Sequence, residues 1–97
     1  MIIRIVKMTF EPQKVNDFLI IFNESKQFIR NMKGCSHLEL LNDINTPNIY
    51  FTYSYWNSEN DLNNYRNSEL FADVWAKTKV LFNAKAEAWS VKQEILL

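Results

Sequence analysis

Glycine occurs once in these 97 residues, at Gly34, and proline twice, at Pro12 and Pro47. A chain with so few breakers builds its turns from Asn, Asp and Ser and spends most of its length in regular elements. Histidine and cysteine are as scarce, at one each, His37 and Cys35. A single cysteine excludes an internal disulfide, and without a Cys/His cluster there is no zinc motif. Neither sign of charge dominates, since eleven Lys and Arg balance eleven Asp and Glu. That neutrality offers no global field to draw in nucleic acid or an anionic membrane surface. No apolar run approaches the roughly 20 residues of a membrane helix. Met1–Lys7 is too short and too interrupted by charge for a secretory signal. The expectation is a cytoplasmic protein with neither nucleic acid nor membrane as partner. No motif for nucleotide, flavin or metal is present either, so no cofactor is expected.

What the chain does have is bulk: 14% of its residues are aromatic, which suits one well-filled core. The length predicts a single domain over residues 1–97. Ile2 to Phe10 is rich in β-branched residues and predicts a first strand, ended by Glu11-Pro12. Val15, Phe18, Leu19, Phe22, Ile29 and Met32 recur at helical spacing, with Asn16, Glu24, Gln27 and Arg30 opposite. Gly34 stands just past this helix, as a C-terminal glycine should. Cys35–Leu41 predicts a second strand, and Asn42 to Asn48 a turn-rich link to a third. That third strand, residues 48–56, is the most aromatic stretch of the chain. Ser58, with Asp61 three residues on, opens a short helix carrying Leu62 and Tyr65. Ser68 caps a further helix with Phe71, Val74, Trp75, Thr78, Leu81 and Phe82 on one face. Ala86 to Leu97 is expected to be a last strand.

The order β-α-β-β-α-β is that of the ferredoxin-like α+β fold, with helices over one face of a four-stranded antiparallel sheet. Nothing is left to cover the other face. A second copy packed sheet to sheet is the economical solution, and a homodimer through the open face is expected.

Strand three alternates in kind. Ile49, Phe51, Tyr53 and Tyr55 are uniformly large, whereas Tyr50, Thr52, Ser54 and Trp56 mix hydroxyls with an indole. A regular hairpin with strand two would put Cys35, His37, Glu39 and Leu41 on the face of Tyr50, Thr52, Ser54 and Trp56. Leu38 and Leu40 would then join the large residues under the helices. The mixed face would be the wall of a site for a small aromatic molecule.

Several stretches together resemble a known family. They are the first strand through Ile5–Phe10, Gly34-Cys35-Ser36-His37-Leu38-Glu39, and the progression Tyr55-Trp56, Ser58-x-x-x-Leu62, Tyr65-Arg66-x-Ser68-x-x-Phe71. They are similar to the antibiotic biosynthesis monooxygenase domain, over essentially the whole chain. The resemblance implies a dimeric α/β barrel. It also implies a cofactor-independent monooxygenase that oxidises a small aromatic, a quinol or polycyclic phenol, with O₂. A non-catalytic dimeric binding protein for a small ligand is the alternative. The haem-degrading branch of that family uses an Asn on strand one, a Trp ending strand three and a His on the last helix as iron ligand. Trp56 matches the Trp, but Val6 stands at the Asn position and Trp75 at that of the His, so haem degradation is not expected. An indole nitrogen is a donor only.

On these expectations His37 is the candidate general base, because imidazole ordinarily titrates near neutrality, with Glu39 to orient it. The ordinary alternative is a structural His–Glu pair. Arg4, Tyr50, Thr52, Ser54, Trp56 and Trp75 are the candidate substrate-binding residues. For the two tryptophans the competing role is core packing. For Arg4 it is a salt bridge.

Overall fold

A computed structural model describes residues 1–97 and has the expected element order. The strands are β1 (Ile2–Thr9), β2 (Cys35–Asn42), β3 (Ile49–Trp56) and β4 (Glu87–Val91), and the helices α1 (Val15–Arg30), α2 (Glu59–Arg66) and α3 (Glu69–Lys79). The sheet is antiparallel throughout, in the order β2-β3-β1-β4, with the two hairpin-forming strands on one side and the chain's first and last strands on the other. The fold is ferredoxin-like α+β. No helix is long and apolar enough to cross a membrane.

Local chemistry accounts for the element ends. Pro12 opens a turn of 3₁₀ helix, Pro12–Lys14, that leads into α1. Ser58 Oγ accepts from the Asp61 amide at 3.1 Å, and Ser68 Oγ from the Phe71 amide at 3.1 Å, so both later helices begin on serine caps. The β2–β3 loop turns without glycine because Asp43 Oδ2 accepts from the Asn45 and Thr46 amides at 3.0 and 2.8 Å. Gly34 is the one residue with a left-handed backbone, at φ +87°, and a Cβ there would run into the Asp61 side chain. The last strand is shorter than the 86–97 expected: β4 stops at Val91, where the sequence turns to Lys92-Gln93-Glu94.

The hairpin register also differs from the expected one. Cys35 pairs with Trp56, but His37 pairs with Tyr55 and Leu38 with Ser54, because the strand bulges between Cys35 and His37. Ser36 is the extra residue, and it reverses the parity of everything after it. Leu38, Leu40, Thr52, Ser54 and Trp56 consequently share the face under the helices. His37, Glu39 and Leu41 move to the other face with Ile49, Phe51, Tyr53 and Tyr55. The large residues of β3 are thus on the open side, and the mixed set, expected to face away, is the one the helices cover.

Two clusters anchor the covered side. Met8, Phe10, Phe18 and Leu81 are buried at one end, and Cys35, Trp56 and Leu62 at the other. Between them the helices and the sheet do not close.

Candidate functional site

The gap between the two clusters is a cavity of about 330 Å³, in the size range of small-molecule sites. Its floor is the sheet, with Arg4, Val6 and Met8 from β1 and Thr52, Ser54 and Trp56 from β3. Every second residue of each strand contributes, as the pleat requires. Phe18, Phe22 and Ile29 of α1 close one side, α2 and α3 the other, and Leu38, Ala86 and Ala88 extend the floor.

The wall on the α2–α3 side is a run of aromatic rings in contact. Trp56 stacks on Tyr65 with centroids 4.9 Å apart, and Tyr65 meets Phe71 edge-on at 5.3 Å. Phe71 and Trp75, one helical turn apart in α3, lie 5.8 Å apart and 9° from parallel. Trp56 is 1% exposed, and its indole N–H donates to Ser54 Oγ at 3.0 Å. That bond satisfies the only polar atom of the indole in a setting where an unpaired donor would cost about 1–3 kcal/mol. Burial pushes the Tyr65 phenol up to about 12, so it stays protonated at neutral pH.

Two cations complete the wall. Arg4 reaches the cavity from β1, and its Nη1 donates to Ser90 Oγ of β4 at 2.9 Å. Arg66 comes from the last turn of α2. Burial lowers the pKa of Arg4, and the neighbouring Arg66 charge lowers it further. The salt bridge considered for Arg4 is not formed: the ion pairs of the chain are Lys7–Glu87, His37–Glu39 and Lys77–Asp73.

The structure therefore brings Arg4, Thr52, Ser54, Trp56 and Trp75 together around one cavity. Tyr50 shares their face but lies beyond them, packed against Phe10 and Phe18 with centroids 6.1 and 5.7 Å apart. His37 and Glu39 are on the opposite side of the sheet. They bond to each other there, and the imidazole stacks on Tyr55 at 4.6 Å. The bulge at Ser36 separates this pair from the cavity. Tyr65, Phe71 and Arg66 were absent from the expected site residues, although the Tyr65-Arg66 dipeptide beside an aromatic helix was their visible signal.

The fold and the cavity can now be set beside known proteins. The family model described as antibiotic biosynthesis monooxygenase matches residues 1–77. The chain belongs to that family. Among solved structures, an antibiotic biosynthesis monooxygenase superposes with a TM-score of 0.90 at 15% identity, covering 96% of this chain and 98% of that one. A conserved protein from Methanosarcina mazei Go1 gives 0.90 at 19% identity, with 97% and 94% covered. Rv0793 from Mycobacterium tuberculosis gives 0.89 at 13% identity, with 98% and 96% covered. At such identities the likeness speaks for the fold. No curated protein matches the chain. Within the family, the histidine of the haem-degrading branch has no counterpart on this cavity wall, where Trp75 stacks on Phe71 instead.

Proposed function

We propose that this chain is a homodimeric, cofactor-independent monooxygenase of the family, oxidising a small electron-rich aromatic, a quinol or polycyclic phenol, with O₂. The observation that carries the proposal is the cavity itself: a partly open space walled by Trp56, Tyr65, Phe71 and Trp75. Stacking on such rings adds about 0.5–1.5 kcal/mol per pair beyond the burial of apolar area. The ionised substrate would give an electron to O₂, and the two radicals would join in a C–O bond. Loss of water from the resulting hydroperoxide leaves a quinone, with one oxygen atom of O₂ in the product and the other in water. Trp56 and Trp75 would hold the ring, with Thr52 and Ser54 beneath it. His37 and Glu39 have no direct part in this scheme, because they lie across the sheet from the cavity.

The dimer is supported by the face the helices leave open. Ile5, Phe51, Tyr53, Tyr55 and Trp89 gather there, with Trp89 44% and Leu41 41% exposed. An aromatic and aliphatic patch of this kind, bordered by the His37–Glu39 and Lys7–Glu87 pairs, is what a sheet-to-sheet interface buries.

A second function class is a non-catalytic binding dimer. It is favoured by one observation: no His, Asp or Glu stands on the cavity wall to take a proton from a phenol. Metal-free protein incubated with naphthols and hydroquinones under ¹⁸O₂ separates the two. The monooxygenase predicts O₂ uptake above the uncatalysed rate and one labelled oxygen per quinone, both lost in Trp75→Ala. Thermal stabilisation by the same compounds without uptake would leave only the binding role.

A further inference from the structure

The cavity wall carries two formal charges, both positive, and they arrive from elements far apart in sequence: Arg4 in β1 and Arg66 at the end of α2. Of the lining residues, 14 of 19 are hydrophobic, so the two guanidinium groups border a largely apolar space. Neither belongs to any ion pair of the chain, although eleven acidic residues are available to a neutral protein. A guanidinium presents five N–H donors. Arg4 uses one of its own on Ser90, and Arg66 makes no hydrogen bond within the chain. Like charges brought together at an apolar wall are unfavourable: burial is the main cause of the lowered pKa of Arg4, and the Arg66 charge adds to it. An anion placed between them relieves the repulsion and takes up the unused donors.

We infer that the ligand of this cavity is a planar aromatic carboxylate, its acid group held between Arg4 and Arg66 and its ring against the Trp56–Tyr65–Phe71–Trp75 wall. The inference rests on this cavity being the ligand site, as proposed above. A carboxylate matches the forked guanidinium face in both shape and charge. It is also compact, so most of the cavity remains for the ring. Trp56 and Tyr65, stacked on each other, line the same cavity as Arg4 and Arg66. The protonated Tyr65 hydroxyl, which has no hydrogen bond within the chain, adds a neutral donor on the same side.

The test compares 2-naphthoate with 2-naphthamide, equal in ring and nearly equal in size, by calorimetric titration of the full chain. A charge-assisted hydrogen bond is stronger than its neutral counterpart by enough to give roughly tenfold tighter binding of the acid at low salt. That preference should shrink as salt is raised, while the affinity of the amide stays flat. Arg4→Gln and Arg66→Gln should each remove most of the preference and leave amide binding within about twofold, the size expected when only a charged contact is lost. Arg4→Lys, which keeps the charge but not the fork, should retain part of it. Equal affinity for acid and amide, or a preference that survives both glutamine variants, overturns the inference and leaves the aromatic cavity standing. Binding of neither compound overturns the cavity reading and this inference with it.

Discussion

The indole of Trp56 and the phenol ring of Tyr65 lie face to face, 4.9 Å between centroids and 17° from parallel. The contact joins the last residue of β3 to the C-terminal turn of α2, and it forms the corner where the buried cluster of Cys35, Trp56 and Leu62 becomes the cavity wall. One ring therefore belongs both to the buried cluster and to the lining of the cavity.

Removing that ring should be costly. Trp56→Ala is expected to lower stability by about 3–5 kcal/mol, as large-to-small core changes do. Trp56→Phe keeps much of the volume but leaves the Ser54 hydroxyl without its donor, and should cost less, on the order of 1–2 kcal/mol. Urea unfolding of the three proteins checks the order; a phenylalanine variant as unstable as the alanine one contradicts it.

Tyr65 makes stability depend on alkali. Its folded pKa is raised to about 12 from an ordinary 10.0. Below the lower value both folded and unfolded chains keep the proton, and the contribution is fully present. Between the two values the unfolded chain ionises first, so stability falls as pH rises, by roughly 2–3 kcal/mol in all. Tyr65→Phe should remove this part of the fall. Identical pH slopes for the variant and the parent between pH 10 and 12 would refute it.

At Gly34 two costs coincide, the positive φ and the approach of Asp61. Gly34→Ala should destabilise by more than about 1 kcal/mol, since alanine adds backbone strain as well as a clash. Asp61→Gly made on top of it, which also removes the Asp61 Cβ that lies 2.5 Å from the added methyl, should recover the clash but not the strain. Thermal melts of the single and double variants separate the two contributions, and full recovery would show that φ contributes nothing.

The aromatic open face gives an assembly prediction. Tyr53→Glu, at the centre of β3 and directly opposite Glu39, should convert a dimer to a monomer, because two carboxylates side by side in an interface are strongly disfavoured. Light scattering on the parent and the variant decides it. A parent protein that is monomeric at high concentration removes the dimer from the proposed function.

How much of this was visible in the letters follows from the physics of each feature. Strand and helix periods and the two serine caps are local patterns, and each is found where the sequence puts it; the stop expected at Gly34 is not, because α1 already ends at Arg30 with Asn31 as its cap. The two faces of β3 were legible for the same reason. Their orientation was not, because a bulge needs no distinctive residue: Ser36 is an ordinary exposed serine, and only the tertiary packing of the half-buried Leu38 and Leu40 under the helices fixes the parity around it. Arg66 was hidden differently. It sits on a short polar helix and is exposed in the fold as well, so that only its place with Arg4 among the residues lining the cavity sets it apart. Tyr50 was grouped with the site by parity alone, and its position opposite Met8 makes it core.

The bulge also says something about length. Between Cys35, which faces the helices, and His37, which faces away, Ser36 has no partner on β3. Two adjacent residues of an unbulged strand would already point to opposite sides, so Ser36 can be dropped without carrying any other side chain through the sheet. It is the position in β2 where a deletion leaves both surfaces as they are. Loss of any later residue of the strand would exchange the two surfaces from that point on.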